Sequence, residues 1–159
     1  MIILGIDPGT ANMGYGVLKI AKDKSIALRD SGVIKTYPGV SMPKRLTVLY
    51  ANLNDVVKTY KPDIIVIERL FFNVNVRTAM TVGEARGVSM LMAAHNDIDV
   101  VEYTALQAKK ILTGFGRAKK KEMQEAVKNI LGLSQIIKSD DANDGVAMAL
   151  CHFKLTYEI

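Results

Sequence analysis

Met1-Ile2-Ile3-Leu4-Gly5-Ile6-Asp7-Pro8-Gly9-Thr10 is the stretch around which the chain is organised. Six apolar, largely β-branched residues read as a strand buried on both faces, and the acid Asp7 with the breakers Pro8 and Gly9 ends it. A carboxylate at the end of an interior strand is costly unless something positive meets it. The alternative is that Asp7 caps the turn through its own side chain. The same signature recurs downstream, where Ile64-Ile65-Val66-Ile67 ends on Glu68. Between the two, a helix is expected from about Ser41, its N-cap, with Pro43 just inside and Leu46, Leu49, Tyr50, Leu53, Val56 and Val57 at helical spacing. Lys61-Pro62-Asp63 ends it. Such a crossover makes the strand at Ile64 parallel to one already in the sheet. If that strand is the first, Asp7 and Glu68 emerge side by side.

The remaining elements follow from periodicity and breakers. Gly14 to Ile20 and Ser25 to Thr36, joined by short turns, complete an antiparallel meander with the first strand. A long helix is expected over Val76 to His95, a fifth strand over Asp97 to Tyr103, and a short helix capped by Thr104 that runs to Leu112. Gly114-Phe115-Gly116 forms a hinge before a helix from about Ala118 to Leu131, which Gly132 terminates. A last helix runs from Ser139-Asp140 to about Phe153, with Val146, Ala147, Leu150 and Phe153 on one apolar face. The expectation is one α/β domain over residues 1–159. Its mixed five-stranded sheet consists of a three-stranded antiparallel meander plus two parallel strands, flanked by helices. Gly83 and Gly87, four apart in the long helix, each cost about 1 kcal/mol in helix propensity. Close approach of another element would recover it, either the protein's own sheet or the same helix of a second copy in a homodimer.

The composition narrows the function classes. A lone Cys151 forms no internal disulfide, and no four-ligand Cys/His set exists for a structural zinc, so a reducing compartment is expected. Met1 leads straight into strand-like residues and no apolar run reaches membrane-spanning length, so neither a signal peptide nor a membrane span is expected, and the protein reads as cytoplasmic. The net charge is +5. Between Lys109 and Lys128 seven basic residues (Lys109, Lys110, Arg117, Lys119, Lys120, Lys121 and Lys128) face only Glu122 and Glu125, an excess equal to that of the whole chain. A basic cluster beside isolated carboxylates suits a protein that handles a polyanion.

Asp141 and Asp144 are three apart at the start of the last helix and share a face. Spacing alone leaves Asp140 with Asp144 as an equal pair, and Ser139 or Asp140 is available for capping. With Asp7 and Glu68 at two strand ends, four hard oxygen ligands can converge. Carboxylates without His or Cys favour Mg²⁺ or Mn²⁺ over zinc.

These residues resemble the RuvC-type Holliday junction resolvases of bacteria, members of the ribonuclease H-like superfamily. The resemblance runs through Gly5-Ile6-Asp7-Pro8-Gly9-Thr10, Ile67-Glu68, Gly83-Glu84-Ala85-Arg86-Gly87, Gly114-Phe115-Gly116 and Asp141-Ala142-Asn143-Asp144-Gly145, in that order over almost the whole chain. It implies that Asp7, Glu68, Asp141 and Asp144 are the catalytic, metal-binding acids, which selects Asp141 over Asp140. It also implies Mg²⁺ as cofactor, with Mn²⁺ able to substitute and two ions in each site. Asp7 is then expected to bridge the ions, Glu68 and Asp144 to hold one side each, and Asp141 to complete the second site. The implied reaction is paired symmetric nicking of opposite strands of a four-way DNA junction, by a homodimer that works with a branch-migration helicase complex. Lys109 and Lys120 match lysines that the family uses at the DNA, and Phe71 an aromatic it uses near the junction centre. Phe72, Arg77, Arg117, Lys119 and Lys121 complete the expected nucleic-acid-binding set. Arg69, directly after Glu68, is expected either to touch phosphate or to pair with an acid.

Two other classes compete. Asp7-Pro8-Gly9-Thr10 followed by Asn12 also resembles the phosphate loop of sugar kinases and actin-like ATPases, but 159 residues cannot supply their two lobes. A ribonuclease H-like nuclease acting on other nucleic-acid structures shares every acid and differs only in substrate. His95, His152 and Cys151 are expected to be packing or surface residues.

Overall fold

The opening run forms β1 (Ile2–Asp7), the central strand of a five-stranded sheet in the computed structural model, which describes residues 1–70 and 75–158. The chain continues through β2 (Asn12–Ile20), β3 (Ile26–Lys35), α1 (Met42–Tyr60), β4 (Ile64–Arg69), α2 (Val76–His95), β5 (Val100–Thr104), α3 (Ala105–Thr113), α4 (Lys120–Leu131) and α5 (Asp140–Tyr157). The sheet order is β3-β2-β1-β4-β5, with the first three strands antiparallel and the pairs β1/β4 and β4/β5 parallel. This is the expected mixed sheet. The sequence-based bounds hold to a few residues. β5 begins at Val100 instead of Asp97, because Asp97 takes a left-handed φ of 55° in the turn after α2 and the Ile98 amide donates back to the Ala93 carbonyl.

Strand alternation divides the core into two layers. Ile3, Leu18 and Val66 face α3, α4 and α5 with Val127, Val146, Leu150 and Phe153, whereas Leu4, Ile6, Val17, Ile65 and Ile67 face α1 and α2 with Leu49, Leu53, Met92 and Ala93. The same alternation assigns Gly5 and Asp7 to the side of Ile3, and Glu68 to the side of Val66. Both acids therefore leave the sheet towards α5.

α5 departs from the sequence reading in two ways. It continues one turn past Phe153 to Tyr157, and its centre is buried on all sides from Gly145 to Phe153 instead of along one stripe. Sheet, α3 and α4 enclose it, so no polar face is needed. Ser41 stands at the N-cap of α1 without a side-chain capping bond, and the other caps behave as expected. Thr104 and Gln107 form a capping box at α3, Gly132 ends α4 in the left-handed region at φ 63°, and Lys61 ends α1 at φ 50°. Among the described residues no helix is long and apolar enough to cross a membrane.

Gly83 and Gly87 do not recover their propensity cost inside the protomer. Among the described residues a side chain added at either would meet nothing within 4 Å, because α2 packs through Ala85, Ser89, Met92 and Ala93 on its other side.

Candidate active site

Asp7 and Glu68 stand side by side. The parallel register pairs Ile6 with Ile67, so the next residue of each strand is the acid, and the two carboxyls share a hydrogen bond. The third partner arrives on α5, whose backbone lies directly on the sheet. A Cβ at Gly5 would stand 2.0 Å from the carbonyl oxygen of Gly145, one at Gly14 1.7 Å from that of Asp141, and one at Gly16 2.6 Å from Val146 Cα. From the helix side, a Cβ at Gly145 would stand 2.6 Å from Tyr15 Cα. Only glycine at these positions lets helix and sheet approach so closely. Gly14 is also the residue paired with Asp7, so this contact sets the first turn of α5, with Asp141 and Asp144, beside the strand-end acids.

Ser139 caps α5 by accepting from the Ala142 amide at 3.2 Å. The two candidates for the Asp144 partner differ in their contacts. Asp140 binds Lys120 Nζ through one oxygen at 3.0 Å and Gln124 Nε2 through the other at 3.2 Å, and its charge also acts on Asp144. Asp141 is instead one of the charges acting on Asp7.

Asp7 and Asp144 titrate far above their ordinary range, and Glu68 is raised as well. Burial, followed by the charges of Glu68 and Asp144, the bond to Glu68 and the charge of Asp141, pushes Asp7 up to about 9. Burial and the charges of Glu68, Asp141 and Asp140 push Asp144 up to about 7, against the pull of Lys120. Glu68 is raised by burial too, with its bond to Asp7 and the charge of Lys109 pulling it back. Carboxyls this close cannot all ionise without a compensating cation.

The basic residues divide by position. Lys109 and Lys120 line one cavity of about 150 Å³ with Glu68, Asp144, Ala105, Met123 and Met148, and bonding to Asp140 raises the Lys120 ammonium. Arg117, Lys119 and Lys121 lie on the α3–α4 connection and the start of α4, outside that lining, and both lysines are exposed. Arg77 is exposed at the start of α2, where its amide bonds to the capping Asn75. Arg69 is exposed and has no salt-bridge partner among the described residues. Phe71 and Phe72 lie outside the described residues. His95, His152 and Cys151 pack as expected, with His95 bonded to Tyr50, His152 to Tyr103 at 2.9 Å, and Cys151 fully buried.

The donor set suits a hard divalent ion, being all carboxylate, desolvated and short of positive charge. Asp7 and Glu68 are in direct contact, while Asp141 and Asp144 act on them at longer range. Among the described residues no group of three or more His, Cys, Asp or Glu side chains is already placed to hold a metal ion. The sequence reading missed Gln124 and the pairing role of Asp140. It also missed the function of Gly5, Gly14 and Gly16, for which a signal existed, since glycine weakens a strand interior and marks close backbone approach.

Residues 3–152 match the family model described as crossover junction endodeoxyribonuclease RuvC. A protein of that name from Rubrobacter xylanophilus is 47% identical over 151 residues, covering 95% of this chain and 84% of its own. The solved structure of Thermus thermophilus RuvC in complex with a Holliday junction substrate superposes with a TM-score of 0.89 at 31% identity, over 96% of this chain and 92% of that one. The yeast mitochondrial Holliday junction resolvase Ydc2 shares the fold, with a TM-score of 0.65 at 14% identity over 96% of this chain and 78% of that one.

Proposed function

The chain belongs to the RuvC family of crossover junction endodeoxyribonucleases, and from that premise we propose that it resolves four-way DNA junctions by paired, metal-dependent nicks in opposite strands, with Asp7, Glu68, Asp141 and Asp144 as its catalytic acids. The observation that carries the site assignment is the half-buried Asp7–Glu68 pair at two adjacent strand ends, with Glu68 and Asp144 lining a cleft together with Lys109 and Lys120.

The four acids would hold Mg²⁺, with Mn²⁺ as a substitute and two ions in each site. A divalent ion bound there supplies a nucleophilic water and charge compensation at the scissile phosphate. The protein's own groups do the rest. As carboxylates, Asp7 and Glu68 would serve as ligands, their directions set by the adjacent strand ends. Lys109 and Lys120 hold non-bridging phosphate oxygens, contributing a salt-sensitive share of affinity. Asp140 keeps Lys120 at the cleft through a 3.0 Å bond. Phe71 or Phe72 stacks on a base near the junction centre, and Arg77, Arg117, Lys119 and Lys121 extend the contact along the DNA.

A homodimer supplies the second nick. The seam we assign runs along the outward side of α2, where Val76 (75% exposed), Met80 (63%), Gly83, Gly87 and Leu91 (52%) follow one another at helical spacing. Close approach of a second copy recovers the cost of the two glycines. Gly83→Leu with Gly87→Leu is expected to weaken the dimer in sedimentation without lowering the melting temperature of the protomer, because each added side chain enters open space and favours the helix. An unchanged dimer would remove this helix as the seam. The family resemblance further implies a branch-migration helicase complex as partner, in the bacterial cytoplasm.

Cleavage of a synthetic four-way junction against matched linear duplex, with Mg²⁺ or EDTA, tests the function. Symmetric nicks in the junction alone, abolished by EDTA, are expected. Equal cutting of the duplex would favour a general nuclease on the same fold.

A further inference from the structure

The charged cleft is not the whole of the basic surface. Between Asp30 and Asp55 the chain carries no acidic residue, and its charges are Lys35, Lys44 and Arg45. β3 ends at Lys35 and α1 begins at Met42, so the fold gathers these three at one corner. A shallow depression of about 170 Å³ there is lined by Lys35, Thr36, Tyr37, Val40, Arg45 and Val48. Tyr37 is 68% exposed. Among the described residues none of the three cations has a carboxylate partner.

This corner lies at the same end of the sheet as the acids. Asp7 pairs with Gly14 and Gly14 with Val33, which sets β3 two strands, or about 10 Å, from Asp7. Contact is also direct. Thr36 donates its hydroxyl to the Thr10 carbonyl and its amide to the Ala11 carbonyl at 3.0 Å, so the end of β3 is bonded to the turn that follows Asp7. Arg45 Nε donates to Thr36 Oγ1 at 2.8 Å, and among the described residues its two terminal nitrogens have no partner. That bond restrains a long side chain and so lowers the entropy lost when the guanidinium meets an anion.

We infer that Lys35, Tyr37, Lys44 and Arg45 form a second nucleic-acid contact, which takes the phosphate backbone of a duplex arm leaving the active site on the β3 side. This rests on the junction-cleaving reading above. Three cations with no acid among them complement a polyanion. A duplex turn spans about 34 Å, so DNA engaged at Asp7 reaches this corner within the same turn. Lys109 and Lys120 line the cavity of Glu68 and Asp144 and take no part in the lining of this depression, so the two basic surfaces are distinct.

Lys35→Ala with Lys44→Ala tests the contact, measured by fluorescence anisotropy on a labelled four-way junction across a salt series. Wild type must first bind the junction, and if it does not, the functional reading itself fails. Given binding, the double variant is expected to lose about tenfold in affinity near physiological salt and to lower the slope of log K against log salt by about 2. Lys35→Arg with Lys44→Arg should restore both, and melting temperature should stay at the wild-type value. An unchanged slope, in a variant set where Lys109→Ala still weakens binding, would overturn the second contact and leave the active-site reading intact. A loss of affinity that tracks dissociation of the dimer in sedimentation would overturn it too, making the corner a protein–protein seam.

Discussion

Asp7→Asn is expected to abolish junction cleavage, by about 10³-fold or more, while junction binding persists and the metal-free protein becomes more stable. The two effects have one cause. Asp7 is held half-buried among Glu68, Asp144 and Asp141, and its carboxyl is pushed up to about 9. A carboxyl whose folded pKa lies above its unfolded value contributes stability in full below the unfolded value, near 3.8, and loses it as pH rises through about 9. In EDTA the wild-type protein should therefore melt progressively lower between acid and alkaline pH. Asn is nearly isosteric and carries no titrating proton, so it flattens that dependence. At this chain length each kcal/mol regained raises the melting temperature by about 2 to 4 °C. Saturating Mg²⁺ should stabilise wild type far more than Asp7→Asn, because ligand binding to the native state adds stability that grows with affinity. Melting curves in EDTA and Mg²⁺, paired with cleavage and binding assays, check each part. A variant that cuts at the wild-type rate would displace Asp7 from the chemistry.

Gly14→Ala should be the most damaging small substitution outside the acids. Its Cβ would stand 1.7 Å from the Asp141 carbonyl oxygen and 2.3 Å from the carbonyl carbon, and both are backbone atoms that cannot rotate away. Either α5 lifts from the sheet or β2 shifts, and both movements disturb the Asp7–Gly14 pair. Overpacking against side chains costs about 1 to 3 kcal/mol, and a backbone clash lies at or beyond the upper end of that range. A fall of about 6 to 12 °C in melting temperature is expected, with cleavage lost beyond what unfolding explains because Asp141 and Asp144 move with the helix. Gly39→Ala is the control, since among the described residues nothing lies within 4 Å of a Cβ there and its φ is not positive, so it should melt as wild type does. If Gly14→Ala melts with the control, direct seating of α5 on the sheet is wrong.

The order and type of the elements, and the two strand-end acids, were legible in the chain before any packing was known. Those features are local: consecutive apolar residues followed by an acid and a breaker specify a buried strand and its end within ten residues. The crossover between them made a parallel return necessary, and the pairing of β4 with β1 in the folded sheet then brought Asp7 and Glu68 together. Spacing could not choose between Asp140 and Asp141. The family resemblance made that choice, and the packing offers a reason for it: Lys120 and Gln124, from another helix, occupy the Asp140 carboxylate. Nor did helical periodicity foretell that α5 is enclosed on all sides, since a moment averaged along a helix does not record which neighbours cover it. Gly14 and Gly83 make the distinction plain. Both read as weak points in their own elements, yet one is filled by the backbone of a helix that begins more than a hundred residues later and the other faces open space. A chain's local preferences fix what each segment becomes. Which atoms a bare backbone position admits depends on contacts between segments far apart in sequence, and those exist only once the segments have packed.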